Sequence, residues 1–288
     1  MRFLLLAILP LALFSKSVSL QILGSGGPEF SERASSSYIV WVDNKAKALV
    51  DLGGGSFLHF SQSGAKIEDL EFIALTHLHI DHSADLPAFM KAGFFSKRKA
   101  VLPILGTVKG GDFPNIKVFV DRLFGKYGAY SYMQDILTSQ SDSFQLKPEI
   151  CKQEFSSGYF KDIKVSSLGV LHGKVPAIAY AIEIYGKKIV FAGDTSADSD
   201  KLITLAKDAD YLIVHHAIPQ HAGYFAKKLH ITPRRIGEVA KKSNAKHLIL
   251  SHRMKRTFSV EKESLRLIKE NYKGDIIWAE DMMKIDIN

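Results

Sequence analysis

Cysteine is almost absent from this sequence. Cys151 is the single cysteine among 288 residues, which excludes an internal disulfide and leaves the fold to be held by its apolar core. A lone cysteine is typically a small buried apolar residue, and we expect that role for Cys151. Internal repeats and low-complexity linkers are absent as well. With the length of the chain, these absences favour one large α/β domain over two fused halves.

Long runs of like charge are also missing. The formal net charge is +8, but lysine and arginine occur in short groups such as 97–99 and 241–242. Groups of this size are typical of solvated helix faces and not of a nucleic-acid-binding tail. We therefore expect no nucleic-acid partner.

One long apolar run stands at the start of the chain. Residues 3–14 are apolar apart from one proline, Met1-Arg2 precedes them, and small residues follow at Ser17 and Ser19. This order is typical of a secretory signal peptide over residues 1–19, and the run is too short to span a bilayer. The predicted mature domain, 20–288, is periplasmic or secreted, without stable membrane insertion after cleavage. An uncleaved anchor or a buried first strand is the alternative.

The densest group of metal-ligand side chains lies at Thr76-His77-Leu78-His79-Ile80-Asp81-His82. The apolar residues 72–75 before it predict a buried strand. Alternation would place His77 and His79 on the same side where that strand ends, and Asp81 and His82 would add an oxygen and a third nitrogen. Four such side chains exceed what one tetrahedral zinc needs from a single segment, so we predict two adjacent metal ions. A polar surface loop is the alternative interpretation.

The pattern His-x-His-x-Asp-His after a strand resembles the signature of the metallo-β-lactamase superfamily. The resemblance implies an α/β fold, the four-layer αβ/βα sandwich, with a dinuclear metal site. It also implies four further residues in chain order, which are an acid closing an early strand, a lone histidine, a bridging aspartate and a late histidine. The residues that match these are Asp51, His172, Asp194 and His252.

The resemblance also implies how the ligands are divided. One ion would be held by His77, His79 and His172. The other would be held by Asp81, His82 and His252, with Asp194 bridging the two ions and Asp51 orienting the histidine loop. A plain turn is the alternative role for Asp51. Zinc suits this nitrogen-rich set best, although ligand type leaves manganese and iron open. The bridging water would be hydroxide and act as nucleophile, with Asp81 counted as catalytic as well as a ligand.

Two further residues are candidates for catalysis. His230, in Leu229-His230-Ile231-Thr232, resembles the His-x-Ser/Thr element of ribonuclease-Z-like enzymes, which implies transition-state stabilisation or proton donation. The acidic partner expected for it is missing, since residues 214–217 read Val-His-His-Ala, and a structural role at a helix start is the alternative. Arg256 follows the late histidine, where its charge would favour an anionic ester. Pairing with surface acids is the alternative for Arg256.

Two differences from known members of the superfamily indicate which substrate this chain acts on. The 22 positions from His172 to Asp194 allow only a hairpin, whereas tRNA-processing members carry a long arm there. An aspartate bridge at Asp194 disfavours β-lactam hydrolysis. We therefore predict an exported dinuclear hydrolase of small anionic esters, either aryl sulfates or phosphodiesters. A lactonase, a β-lactamase-like hydrolase and a periplasmic zinc-binding protein without turnover are the alternatives, and a homodimer is left open.

Three tyrosines that lie between the histidine motif and His172 in the sequence allow two interpretations. Tyr127, Tyr130 and Tyr132 follow a predicted helical segment. Aromatic side chains of this kind usually pack in a core, which is the role we expect, and a lid over the substrate pocket is the alternative.

Overall fold

Two facing β-sheets form the centre of the molecule. A computed structural model describes residues 16–138, 141–196 and 200–287. The strands of this part of the chain are β1 Val18–Gly24, β2 Ser37–Val42, β3 Lys45–Val50, β4 Phe72–Ala74, β5 Leu102–Gly106, β6 Leu146–Ile150, β7 Ser156–Phe160, β8 Ile163–His172, β9 Val175–Ile184, β10 Lys187–Phe191, β11 Tyr211–His215, β12 His247–Ser251, β13 Asp275–Trp278 and β14 Lys284–Asp286. One sheet has the order β14-β1-β2-β3-β4-β5-β6, and the other has the order β13-β12-β11-β10-β9-β8-β7.

Helices cover the outer face of each sheet. Among the described residues they are α1 Ser56–Gln62, α2 Ile80–Ser83, α3 Leu86–Gly93, α4 Ile116–Phe124, α5 Lys201–Leu205, α6 Tyr224–Leu229, α7 Pro233–Lys242, α8 Lys255–Phe258 and α9 Glu261–Asn271, with 3₁₀ turns at Ile67–Asp69 and Ser131–Leu137. Within residues 16–138, 141–196 and 200–287, none of these helices has the length and apolarity to cross a bilayer.

The apolar side chains divide into three layers because central strands bury both faces. In β1, Leu20 and Ile22 point into the space between the sheets, whereas Leu23 packs with the helices outside. In the second sheet, Tyr180 belongs to the layer between the sheets, and Ala181 packs outward beneath helices such as α7. The layers therefore run helix, sheet, sheet, helix, which confirms the predicted four-layer αβ/βα sandwich.

The first strand begins before the predicted start of the mature domain. Val18 and Ser19 pair with Val42 and Trp41 of β2, and the Ile287 amide donates to the Val18 carbonyl at 2.8 Å. The predicted boundary at residue 20 therefore falls inside β1. Residues 1–15, which make up most of the predicted leader, lie outside the described residues.

The three tyrosines do not pack in the core. Tyr127 is 92% exposed and Tyr132 is 69% exposed, while Tyr130 is 39% exposed. The expectation of core packing is wrong, because the apolar face of α4 is already filled by Ile116, Val120 and Phe124.

The strand directions bring the predicted ligands to one end of the sandwich. In the first sheet, β3 and β4 run parallel. In the second, β10, β11 and β12 run parallel, and β8 shares their direction because β8 and β10 each pair antiparallel with β9. The residues that follow the carboxyl ends of these strands therefore meet at one edge of the two sheets.

Candidate metal centre

A first group of three histidines gathers at this edge. Strand β4 ends at Ala74, so His77 and His79 come together through the loop that follows and not through strand alternation. His77 Nε2 lies 3.0 Å from His79 Nδ1, and His172 Nε2 lies 3.3 Å from the same atom. His172 donates from Nδ1 to the Leu229 carbonyl at 2.7 Å, which leaves its Nε2 lone pair directed at the group.

A second group consists of Asp81, His82 and His252. Asp81 Oδ2 lies 3.0 Å from His252 Nε2 and 3.6 Å from His82 Nε2. Asp51 sits behind this group and accepts from His82 Nδ1 at 2.8 Å, which turns Nε2 of that ring toward Asp81. The structure therefore places Asp51 where the resemblance implies, as the residue that orients the histidine loop.

Asp194 lies between the two groups. Its Oδ2 is 3.8 Å from His172 Nε2 and 3.5 Å from His252 Nε2, and its Oδ1 is 3.8 Å from His82 Nε2. The ligand atoms of each trio in this cluster lie within 4.8 Å of one another. Asp194 thus contacts members of both groups, as a bridging ligand must.

Burial and mutual charge shift the pKa values of these groups. Burial, followed by the nearby His82, lowers the pKa of His77 well below its usual value, which favours the neutral imidazole that a metal requires. Burial alone would lower the pKa of His82, but the carboxylates of Asp51 and Asp81 raise it to about 10. Burial would raise the pKa of Asp81, yet His82 and His252 lower it to about 2.

The donor set fits two metal ions. Buried atoms without a hydrogen-bond partner among the described residues include His82 Nε2, Asp194 Oδ1 and His230 Nδ1. An unpaired buried polar atom is costly, and here several such lone pairs converge on one place. Imidazole nitrogens with carboxylate oxygens are donors that suit zinc.

His230 joins the same cluster. Its Nδ1 lies 3.7 Å from Asp194 Oδ2, and together with His172 and Asp194 it forms a further possible ligand trio. Burial lowers the pKa of His230 to about 2, so the ring is neutral at physiological pH. The structural alternative, a helix residue satisfied by backbone, does not describe this ring, because its Nδ1 has no partner among the described residues.

His215 is a residue that the sequence interpretation missed. Its ring, at the end of β11, contacts the His230 ring at a centroid distance of 5.1 Å and lies 3.8 Å from Asp194 Oδ1. Burial lowers the pKa of His215 to about 4. The available signal was its position, since β11 lies between the strands that lead to Asp194 and His252.

Arg256 lies on α8, close behind His252 in the chain. Its Nε donates to the Ala217 carbonyl at 2.6 Å, and its side chain is otherwise on the surface. Its neighbour Arg253 differs, because Arg253 is buried and forms ion pairs with Glu261 and Glu280. Pairing with acids therefore describes Arg253, whereas no ion pair of Arg256 is found within the described ranges.

Comparison with known proteins identifies the family. The sequence model of the family described as Anti-Pycsar protein Apyc1 matches residues 18–271. The chain belongs to the Anti-Pycsar protein Apyc1 family. The matched span begins with β1 and ends with α9, so it includes every residue of the two ligand groups.

Curated relatives of this member of the Apyc1 family are hydrolases. Ribonuclease Z of Pyrococcus furiosus is 26% identical over 265 residues, covering 81% of this chain and 85% of the relative. The zinc phosphodiesterase ELAC protein 2 homolog of Caenorhabditis elegans is 25% identical over 279 residues, covering 86% of this chain and 33% of that longer protein. The chain is accordingly a metal-dependent hydrolase of the ribonuclease-Z-like type. Because relatives are ribonucleases by name, the expectation that nucleic acid plays no part has no support from them.

Solved structures agree with the fold. The metallo-β-lactamase fold protein YhfI of Bacillus subtilis superposes with a TM-score of 0.70 at 20% identity, covering 94% of this chain and 99% of that one. The short form of human tRNase Z superposes with a TM-score of 0.71 at 21% identity, with the same coverage of both chains. The Apyc1 family member therefore has the metallo-β-lactamase fold, as the histidine motif predicted.

Proposed function

We propose that this protein is an exported dinuclear phosphodiesterase that acts on small anionic esters. The observation that carries the proposal is the position of Asp194 between two complete ligand groups. One of its oxygens lies near both His172 and His252, and the other lies near His82. A site with two adjacent ions is suited to displacement at phosphorus, because such sites stabilise both the attacking and the leaving oxygen.

Each side chain has a place in this proposal. The first ion would be held by His77, His79 and His172, and the second by Asp81, His82 and His252, with Asp194 shared between them. Zinc is the proposed metal, in keeping with the nitrogen-rich donors and with the zinc enzyme among the relatives. When bound, the ions supply an activated water and positive charge next to the phosphoryl group.

His230 would bind the substrate as a neutral group. Its ring is held beside Asp194 and His172, and burial keeps it unprotonated. A neutral imidazole can donate one hydrogen bond to a phosphoryl oxygen as negative charge develops there. Proton donation to the leaving group is less well supported, because the acidic partner expected at residues 214–217 is replaced by two histidines.

Arg256 would favour an anionic substrate. Arg256 is an exposed residue, and its side chain donates to the Ala217 carbonyl and the Met254 sulfur, neither of which neutralises its charge. A cation on α8, four residues after His252, would add to the positive potential of the ions, which attracts a phosphodiester more strongly than a neutral lactone.

RNA is the second candidate substrate. It is favoured by the ribonuclease Z relatives and opposed by the region between His172 and Asp194, where β9 and β10 form a plain hairpin. A large RNA would need a binding surface outside the active site, and this hairpin does not extend into such a surface.

Export remains part of the proposal. Lys16 contacts the Tyr185 hydroxyl, and Ser17 contacts Asp43. Tyr185 and Asp43 lie in turns at the end of the sandwich opposite the metal centre. A leader joined there would leave the site open. Because β1 begins at Val18, we propose cleavage directly before Val18, with Ser15 and Ser17 at the −3 and −1 positions. N-terminal sequencing of protein from the native host tests this, and an intact Met1 on cytoplasmic protein would refute it.

A substrate panel tests the proposed activity. Protein reconstituted with zinc, manganese or iron is assayed on bis(p-nitrophenyl) phosphate, p-nitrophenyl sulfate, a neutral lactone, a β-lactam and an RNA transcript, with Asp194→Ala as the inactive control. Fastest turnover of the small phosphodiester supports the proposal. Fastest turnover of another substrate in the panel overturns it. Full metal binding with no turnover of any of these substrates favours a zinc-binding protein.

A further inference from the structure

His215 uses both of its ring nitrogens in hydrogen bonds to backbone. The Ile231 amide donates to Nε2 at 3.2 Å, so that nitrogen carries a lone pair. The proton of the neutral ring is therefore on Nδ1, which donates to the Gly193 carbonyl at 3.0 Å. With both nitrogens engaged, the ring has no lone pair left for a metal ion and no free proton to transfer.

The two bonds join segments that carry functional side chains. Gly193 directly precedes Asp194, and Ile231 directly follows His230. These segments are far apart in the sequence, and each lies in irregular chain after β10 or α6. The ring of His215 is hydrogen-bonded to both segments at once, and only 3% of this residue is exposed.

We propose that His215 is a positioning residue that sets Asp194 and His230 at a fixed distance from one another. It is held in place by β11, a buried central strand whose neighbours β10 and β12 lead to Asp194 and His252. Movement of Asp194 by a fraction of an ångström would spoil the geometry of both ions at once, since it contacts both groups.

The neighbouring His216 supplies a matched control. It is also fully buried, but its two ring nitrogens have no hydrogen-bond partner among the described residues, and it packs edge-on against Trp278 at 5.0 Å. The two histidines thus share burial and differ in their bonds. A role that depends on hydrogen bonding should be lost on changing His215 and kept on changing His216.

Three substitutions at position 215 separate its two bonds. Leucine removes both bonds. Asparagine carries a donor at the δ position, where it can keep the bond to the Gly193 carbonyl. Glutamine carries an acceptor at the ε position, where it can keep the bond from the Ile231 amide.

The primary readout is the zinc affinity of each full-length variant, measured by chelator competition, which does not depend on the substrate. We expect His215→Leu to weaken zinc binding by about tenfold or more. His215→Asn should stay within about threefold of wild type because it keeps the segment of Asp194 in place. Once a substrate is known, His215→Gln should keep more of kcat than His215→Leu, with KM changed little in either.

Several results would overturn the inference. One is a His215→Leu protein whose zinc affinity is within about twofold of wild type. Another is equal loss in His216→Phe, which would point to packing alone. If His215→Leu does not fold, the amide variants decide, and zinc affinity in His215→Asn no better than in His215→Gln would contradict the assignment of the Gly193 bond.

Discussion

Asp51 orients His82, one ligand of the second ion in the proposed centre, and its replacement gives a sharp prediction. Its carboxylate accepts from the Thr76 amide at 2.7 Å, from the Thr76 hydroxyl at 2.9 Å and from His82 Nδ1 at 2.8 Å. When a metal ion displaces the proton on Nε2 of His82, the last bond keeps the remaining proton on Nδ1, so that Nε2 can bind the metal. In Asp51→Asn an amide N–H replaces one acceptor, which favours the other tautomer of His82, with its proton on the ligating nitrogen.

The magnitude follows from this change of tautomer. Loss of an oriented partner behind a metal ligand typically weakens binding by about 10- to 100-fold, or about 1.4 to 2.7 kcal/mol. The effect should be concentrated on the ion held by Asp81, His82 and His252. The fold should persist, because Asp51 has a left-handed backbone with φ of 59°, a conformation that asparagine tolerates.

Zinc titration in competition with a chromogenic chelator at pH 7.5 measures both binding steps. Asp85→Asn is the matched control, since its carboxylate accepts from the Phe57 amide at 2.8 Å and caps α1 instead of orienting a ligand. We expect wild-type zinc affinity in Asp85→Asn. If Asp51→Asn binds both ions within about twofold of wild type, while its metal-free melting temperature is unchanged, the orienting role is refuted.

Three further predictions concern other parts of the molecule. Asp194→Ala should lower the bound metal from two ions per chain, as measured by elemental analysis, and an unchanged content would contradict the bridge. Burial, followed by the charge of Arg253, lowers the pKa of His216 to about 3. Below pH 6.5 the His216 imidazole is therefore protonated in the unfolded chain but stays neutral in the folded protein. At pH 5 this costs about 2 kcal/mol, and His216→Phe should therefore melt higher than wild type by a margin that grows as the pH falls from 7.5 to 5. Arg256→Ala should reduce kcat/KM on an anionic ester by about tenfold or more, whereas the exposed Lys97→Ala should not.

Helices and strands are predictable from the sequence where residues close by in the chain determine their ends. The helix Pro233–Lys242 begins where its sequence marks a start, because Thr232 stands at the cap position and proline at the first helical position. The buried strand predicted over residues 72–75 is found at Phe72–Ala74. The edge strand β7 carries no such signal, since its residues are largely exposed and give no apolar pattern.

The ligand set of the site was predictable, whereas of the groups that orient the ligands only Asp51 was predicted. The seven predicted ligands stand at strand ends that the fold brings together, although their metal binding itself stays a prediction. The groups that aim them, such as the Leu229 carbonyl behind His172, are backbone atoms far away in the sequence. No residue type reveals such a contact, and the one signal for His215 was its place at the end of β11.

Backbone strain at the strand ends explains why this support is needed. Asp51 after β3 and His252 after β12 have φ values of 59° and 48°, a left-handed conformation that costs about 1 to 3 kcal/mol for residues other than glycine. Gly193, before Asp194, has φ of 60°, and a Cβ there would lie 2.9 Å from the Thr76 Cβ. Metal ions that bind the folded state alone should stabilise it by about 2.7 kcal/mol at a free metal concentration one hundred times Kd. Function and stability are therefore coupled at the same strand ends, and a variant that relaxes one of these turns should lose metal affinity even as its metal-free form becomes more stable.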